Sequence, residues 1–160
     1  MIPQVVSQMQ SRLAYNDKNS LLKAGLHYGV AYQNKPGRSM VKIMVVEDDE
    51  QALAFIAEAL ALEGHKVITV QDSSKALDIA SSTLPDAVLL DLMMPPPDGF
   101  KLCRMLRADP RFKHTPIMIA AALDDTDSKI VAIGAGASDY LVKPFPVEDF
   151  LAKVKDLLEE

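Results

Sequence analysis

The sequence has a single cysteine, Cys103, among its 160 residues, and therefore no disulfide framework. A chain without disulfides fits a reducing compartment, and we expect a cytoplasmic protein. Cys103 lies between apolar residues of a predicted helix, and we interpret it as a small buried hydrophobic residue. No apolar run approaches the roughly 18 residues that a membrane-spanning helix needs, and the N-terminus lacks the basic start and long apolar middle of a secretory signal.

Positive charge is scarce after residue 39. Five of the 17 Lys and Arg residues, but only one of the 22 Asp and Glu residues, lie in residues 1–39, which leaves 12 basic and 21 acidic residues in 40–160. An acidic domain is a poor ligand for the phosphate backbone of nucleic acid, so we expect no direct DNA binding. The three histidines (His27, His65 and His114) show no spacing typical of metal ligands.

From Met40 onward, strand patterns alternate regularly with helix patterns. Alternation of this kind is typical of a parallel sheet with right-handed crossovers and helices on both faces. We predict an α/β fold for residues 40–160, a doubly wound five-stranded sheet of flavodoxin-like order 2-1-3-4-5 with five helices. The predicted strands are 41–46, 66–70, 87–91, 116–121 and 138–142, and the predicted helices are 49–63, 73–82 (capped by Ser73 or Ser74), 98–107, 125–133 and 147–158.

Residues 1–39 differ from the rest of the chain. They contain two short amphipathic patterns, interrupted by glycines, by Pro36-Gly37 and by a polar break at residues 16–20. Isolated helices this short are marginal in water unless another surface covers their apolar face. We therefore predict a weakly ordered, basic N-terminal arm, and Met40 is a possible natural start of translation.

Charged residues follow three of the predicted strands. Glu47 and Asp48 follow the first strand, Asp91 ends the third, and Lys143 follows the fifth. Parallel strands finish at one edge of a sheet, so the three carboxylates should be crowded there, raising one another's pKa values and requiring a counter-charge. A hard divalent cation bound by oxygen ligands meets that requirement, and Mg²⁺ is the common intracellular choice. Lys143 adds a second positive charge.

A carboxylate beside Mg²⁺ and a lysine is suited to accepting a phosphoryl group, because such transfer depends on positioning and on neutralising the phosphoryl oxygens. Asp91 would act as the nucleophile and form an acyl phosphate. Taken alone, Asp91 also fits an ordinary turn residue at the end of a strand. The three strand ends together favour the chemical interpretation.

Three stretches carry a resemblance to a known family: Val45-Val-Glu-Asp-Asp49, Leu90-Asp-Leu-Met-Met-Pro95 with Asp98-Gly99, and Gly136-Ala-Ser-Asp-Tyr-Leu-Val-Lys-Pro-Phe145. With these motifs, residues 41–160 resemble a response-regulator receiver domain, the CheY-like domain of two-component phosphorelay signalling. The resemblance implies a sensor histidine kinase or phosphotransfer protein as phosphoryl donor, and a downstream effector protein that responds in trans.

The resemblance also implies a role for each matching residue. It makes Asp91 the phospho-acceptor and Lys143 the residue that binds the phosphoryl group. It makes Asp48, Asp91 and the backbone carbonyl of Met93 magnesium ligands, with Glu47 acting through a water. It also implies a cis peptide bond before Pro144 and a change of the Tyr140 rotamer on activation.

One position departs from the family pattern. Receiver domains normally have Thr or Ser about thirty residues after the acceptor, where this sequence has Ala121; Thr126 lies in the following loop. Losing one hydrogen bond to a charged group costs roughly 1.5–3 kcal/mol. We expect this loss to weaken acyl-phosphate stability or the coupling to Tyr140 without abolishing transfer. The run Pro95–Pro97 should stiffen the loop after Asp91.

We weigh three functions. The leading hypothesis is a stand-alone receiver phosphorylated on Asp91, a signalling domain rather than an enzyme. The alternative is a phosphorylation-independent receiver that acts as an interaction module, and Ala121 is its support. A phosphatase of the haloacid-dehalogenase type would need a second Asp two positions after Asp91, where Met93 stands. We interpret the acidic loop 124–127 as helix capping rather than a metal site.

Overall fold

The computed structural model describes residues 40–159, which form a five-stranded parallel sheet with helices on both faces. The strands lie in the order β2-β1-β3-β4-β5, which confirms the predicted flavodoxin-like order. The predicted N-terminal arm lies outside the described residues. The elements are β1 (Lys42–Val46), α1 (Glu50–Leu62), β2 (Lys66–Val70), α2 (Ala76–Thr83), β3 (Ala87–Asp91), α3 (Gly99–Ala108), β4 (Ile117–Ala121), α4 (Thr126–Gly134), β5 (Asp139–Val142) and α5 (Val147–Glu159).

The boundaries lie within one residue of the predicted ones, except at the start of α2. Local capping explains why α1 could be placed from sequence. The Asp49 carboxylate accepts hydrogen bonds from the backbone N–H groups of Gln51 and Ala52, at 2.9 and 3.1 Å. At the other end, Gly64 has a φ of +89°, the left-handed conformation that glycine adopts after a helix without strain.

The predicted cap of the second helix, Ser73 or Ser74, is wrong. The Asp72 carboxylate accepts the Ser74 backbone N–H at 3.0 Å and begins a 3₁₀ turn at Ser73–Lys75, so that α2 starts only at Ala76. A charged carboxylate is a stronger acceptor than a hydroxyl. The Ser73 hydroxyl instead donates to the backbone carbonyl of Pro95, 22 residues away, at 2.9 Å.

Two apolar layers enclose the sheet. One contains α1 and α5, and the other contains α2, α3 and α4. Strand β3 lies at the centre, and all five of its residues are buried, as expected for a strand covered on both faces. Cys103 is fully buried in the second layer, as predicted. None of the helices in residues 40–159 combines the length and the apolar character needed to cross a lipid bilayer.

Arg107 fastens the end of α3 to the loops around it. Its Nη1 donates to the carbonyls of Phe112 and Thr115, both at 2.6 Å, and its Nε donates to the carbonyl of Gly136 at 2.8 Å. One side chain thereby satisfies backbone acceptors on the β4 side and on the loop before β5. These hydrogen bonds hold the edge of the sheet opposite the acidic strand ends.

Replacing Arg107 by methionine should lower the free energy of unfolding by about 2–3 kcal/mol, because several partly buried carbonyls lose a charged donor. Urea unfolding measures the change. Arg104→Met is the matched control, since Arg104 is exposed on the same helix and should tolerate the change. Equal stability of the two variants would contradict a structural role for Arg107.

Candidate functional site

The strand register brings the predicted site residues together. Val46 of β1 pairs with Leu90 of β3, so Glu47 and Asp91 follow side by side. Lys143 comes directly after β5, and its Nζ donates to Glu47 Oε2 at 2.8 Å and to Asp91 Oδ1 at 2.9 Å. Residues separated by up to 96 positions in the sequence therefore share one ion-paired group.

Glu47, Asp48 and Asp91 form an acidic cluster. Each contributes one carboxylate oxygen, and the three oxygens lie within 4.8 Å of one another. Glu47 and Asp91 are buried, and Asp48 is exposed, so the cluster opens to solvent on one side. Three hard oxygen donors at this spacing fit a divalent cation such as Mg²⁺ or Ca²⁺. The next acid in the run, Asp49, is instead used as the cap of α1.

Apolar side chains form the floor of the acidic cluster. A void of about 10 Å³ is lined by both buried carboxylates and by apolar residues that include Val45, Leu89, Met118, Phe145 and Phe150. That volume admits at most about one water molecule. The inner side of the cluster is therefore poorly solvated, and the charges depend on one another for stabilisation.

Burial raises the pKa values of the Glu47 and Asp91 carboxyls above their ordinary values, although Lys143 opposes the shift. Burial alone would lower the pKa of Lys143, but its hydrogen bond to Glu47 and the charges of Glu47 and Asp91 raise it instead. The lysine therefore stays protonated at neutral pH. Its positive charge is what allows two poorly solvated carboxylates to coexist.

Gly99 packs closely against the backbone of Asp91 and Leu92. A Cβ at Gly99 would lie 2.5 Å from the backbone oxygen of Asp91 and 2.8 Å from the Cα of Leu92. The Gly99 N–H also donates to the carbonyl of Leu92 at 3.0 Å. The sequence contained this glycine in a motif, but its close approach to the backbone of Asp91 appears only in the structure.

Ala121 and Tyr140 lie together in the apolar layer that contains α4. Ala121 is 1% exposed, and Tyr140 is buried with its hydroxyl donating to the carbonyl of Leu123 at 2.7 Å. The backbone N–H of Lys143 donates to the carbonyl of Ala121, also at 2.7 Å. The end of β4 is thus held by Lys143, which also contacts Asp91, and the chain just after β4 is held by Tyr140.

Three further predictions concern Met93, the peptide bond before Pro144 and the acidic loop 124–127. Met93, two residues after Asp91, is 68% exposed, and the metal-ligand role of its carbonyl stays a prediction. The peptide bond between Lys143 and Pro144 is cis. In the acidic loop, Asp125 caps α4 by accepting the Ser128 N–H at 2.7 Å, and Asp124 pairs with Lys129.

A 2-1-3-4-5 parallel sheet with clustered acids and a lysine at its carboxyl edge is the arrangement of CheY-like signalling domains. The sequence-family model described as response regulator receiver domain matches residues 43–155. The chain therefore belongs to the response regulator receiver domain family, and it is the receiver domain of a two-component response regulator. Members of this family are signalling domains that interact with histidine kinases and bind Mg²⁺ at the acidic cluster.

Individual relatives agree with this assignment. The response regulator MprA of Mycolicibacterium vanbaalenii is 41% identical over 118 residues, which are 74% of this chain and 50% of the relative. The chemotaxis protein CheY4 of Vibrio cholerae is 28% identical with a TM-score of 0.72, covering 75% of this chain and all of that structure. The BeF₃-activated receiver domain of Klebsiella pneumoniae RstA is 34% identical with a TM-score of 0.69, covering 74% and 99%. The chain spans about half the length of the curated relatives it matches.

Gly99→Ala should displace the backbone of Asp91 and lower the free energy of unfolding by about 2 kcal/mol, because the added methyl group overlaps backbone atoms that cannot rotate away. It should also weaken divalent-cation binding, measured by NMR titration with MgCl₂. Gly134→Ala is the matched control, because a Cβ at Gly134 has nothing within 4 Å. A Gly99→Ala protein as stable as Gly134→Ala would contradict the predicted clash.

Lys143→Met should destabilise the metal-free protein by about 3 kcal/mol near pH 8, because it leaves two buried carboxylates without their counter-charge. Their pKa values, already raised by burial, rise further in the variant. The folded variant therefore takes up protons at a higher pH than the unfolded chain does, and protonation removes the uncompensated charge. The loss of stability should shrink as the pH falls from about 8 toward 5.

Urea unfolding at several pH values in the presence of EDTA measures this dependence. Lys129→Met is the matched control, since the Lys129–Asp124 pair is exposed to solvent and contributes little. A destabilisation of Lys143→Met that stays constant across this pH range would mean that the charges of Glu47 and Asp91 are not its cause.

Proposed function

We propose that Asp91 accepts a phosphoryl group from a histidine kinase or a phosphotransfer protein, and that the phosphorylated domain changes a surface recognised by an effector. The observation that supports this best is the position of the Asp91 carboxylate. It is buried at the end of β3, 2.9 Å from the Lys143 ammonium and within 4.8 Å of the acidic oxygens of Glu47 and Asp48.

The chemistry follows from these contacts. A carboxylate oxygen of Asp91 attacks phosphorus, the bond from phosphorus to the donor nitrogen breaks, and the donor imidazole, protonated on its other ring nitrogen, leaves as the neutral ring. The Lys143 ammonium already contacts the Asp91 carboxylate, so it is close enough to bind an oxygen of the phosphoryl group once that group is attached. Mg²⁺, when bound, offsets the negative charge that gathers on Asp91 and on the phosphoryl group.

The acids of the cluster differ in what they offer a cation. Both oxygens of Glu47 already accept hydrogen bonds, one from Lys143 at 2.8 Å and one from the Asp49 N–H at 3.1 Å. Asp48 is exposed at the mouth of the cluster. We therefore assign direct binding of Mg²⁺ to Asp48 and Asp91, with the carbonyl of Met93, and assign Glu47 to contact through water.

The output surface is the exposed face of α4. Ala132 is the one buried residue of this nine-residue helix. Ile130 and Ile133 are 61% and 66% exposed, and Val131 is exposed as well. An exposed aliphatic patch is suited to a protein effector, because such patches typically mark interaction sites.

Three features of this proposal stay predictions. They are the stand-alone form of the receiver, its cytoplasmic location and the absence of direct DNA binding. The curated relatives are about twice as long as the region they share with this chain. An output made by further sequence on the same polypeptide is therefore as compatible with the receiver as an effector in trans.

A phosphorylation-independent interaction module is the second candidate. Ala121 favours it, because no hydroxyl is present there to bind a phosphoryl oxygen and draw β4 toward Asp91. The intact group of Asp91, Lys143 and the two other acids favours the phosphorylated receiver. A phosphatase of the haloacid-dehalogenase type is not favoured, since the Met93 thioether cannot serve as its acid–base group.

Asp91→Asn should abolish Mg²⁺-dependent labelling by ³²P-acetyl phosphate, because the amide is a poor nucleophile. It should also abolish the NMR shifts that BeF₃ produces in the wild-type protein. Asp127→Asn in the acidic loop is the matched control and should retain both signals. Labelling that persists in Asp91→Asn would place the acceptor elsewhere.

The same variant distinguishes the two candidates. If the domain is a phosphorylation-dependent switch, an effector captured by the wild-type protein should bind with a different affinity when a phosphodonor is added, and Asp91→Asn should not respond. Equal binding in all four conditions would favour the constitutive interaction module.

A further inference from the structure

Ser73 stands out among the polar residues of the described chain. In residues 40–159, three polar or charged residues are buried: Glu47, Asp91 and Ser73. The first two belong to the acidic cluster. Ser73 is 4% exposed and lies in the connection between β2 and α2, and its hydroxyl donates to the carbonyl of Pro95 at 2.9 Å.

This hydrogen bond reaches the loop between β3 and α3, which follows Asp91 and contains Met93. Residues 95–97 are prolines, which have no backbone N–H, so this part of the loop cannot donate main-chain hydrogen bonds of its own. Hydrogen bonds to this run must therefore come from donors elsewhere to its carbonyls, and Ser73 supplies one. At the other end of the loop, the Gly99 N–H donates to the carbonyl of Leu92.

The same connection also reaches the loop after β1. The Gln71 side-chain Nε2 donates to the backbone carbonyl of Asp48 at 3.3 Å. Asp48, Gln71, Ser73 and Pro95 line one open groove of about 670 Å³ beside the acidic cluster. One short segment, residues 71–73, thus contacts both loops that carry the proposed metal ligands, although it contributes no ligand itself.

We propose that Ser73 is a positioning residue for the divalent-cation site, acting through the carbonyl of Pro95 on the β3–α3 loop, with Gln71 bracing the β1–α1 loop in the same way. The inference rests on the proposed function, because it takes Asp48, Asp91 and the Met93 carbonyl as the cation ligands. Fixing two ligand-bearing loops before the cation arrives lowers the ordering cost of binding.

Ser73→Ala should weaken Mg²⁺ binding to the unphosphorylated protein about fivefold, the equivalent of one neutral hydrogen bond. The dissociation constant is measured by ¹H–¹⁵N NMR titration with MgCl₂. In metal-free protein, the amides of residues 92–94, 98 and 99 should exchange hydrogen faster, while those of β4 and β5 keep wild-type rates. Ser73→Cys, which has a similar size and a weaker donor, should fall between wild type and Ser73→Ala.

Two serines provide controls. Ser74→Ala removes the neighbouring hydroxyl, which donates to Asp72 Oδ1 at 2.6 Å, and it should leave Mg²⁺ binding unchanged. Ser138→Ala removes the acceptor of the Ile117 N–H, far from the acidic cluster, and it should lower stability without changing the Mg²⁺ affinity.

A wild-type dissociation constant for Ser73→Ala, or an equal loss of affinity in Ser138→Ala, would overturn the positioning role. Wild-type protein that binds Mg²⁺ and is labelled on Asp91 would still support the proposed function in that case. Wild-type protein that does not bind Mg²⁺ would overturn the proposed metal site itself, together with this inference.

Discussion

The site depends on the ion pairs that Lys143 makes with Glu47 and Asp91 at once. The side chains of all three residues are nearly buried, with 12%, 4% and 9% exposed, and apolar residues lie beneath them. Carboxylates in such a position do not stay charged without a counter-charge nearby. Lys143 is the counter-charge for both carboxylates. The parallel topology makes this possible, because it brings the ends of β1, β3 and β5 to the same edge of the sheet.

Much of this was accessible from the sequence because the relevant signals are local or follow from topology. Strand β3 is recognisable as a buried apolar run ending in one carboxylate, and parallel strand order then places Asp91 beside the acids that follow β1. Of the four acids after β1, the sequence already assigned Glu47 and Asp48 to the site and began the first helix at Asp49. The structure adds the hydrogen bonds by which Asp49 caps that helix.

What the sequence could not provide are contacts between residues distant along the chain that leave no periodic pattern. Asp72, Ser73 and Ser74 are all competent helix caps, and the stronger acceptor, Asp72, begins the turn. No local rule shows that the Ser73 hydroxyl donates to the carbonyl of Pro95, 22 residues further on. The hydrogen bonds of Arg107 are equally invisible, since an arginine on an amphipathic helix normally indicates a solvated face.

The absence of a hydroxyl at Ala121 does not isolate Asp91 from the α4 surface. The side chain of Lys143 contacts Asp91, and the backbone N–H of the same residue holds the carbonyl of Ala121. Two residues later, in the connection that leads into α4, the carbonyl of Leu123 accepts the Tyr140 hydroxyl. If the Lys143 side chain shifts to bind a phosphoryl oxygen, the hydrogen bond from its backbone N–H to Ala121 passes part of that shift to the end of β4. A receiver can then couple phosphorylation to its output surface through main-chain hydrogen bonds, with smaller amplitude than a direct hydroxyl contact would give.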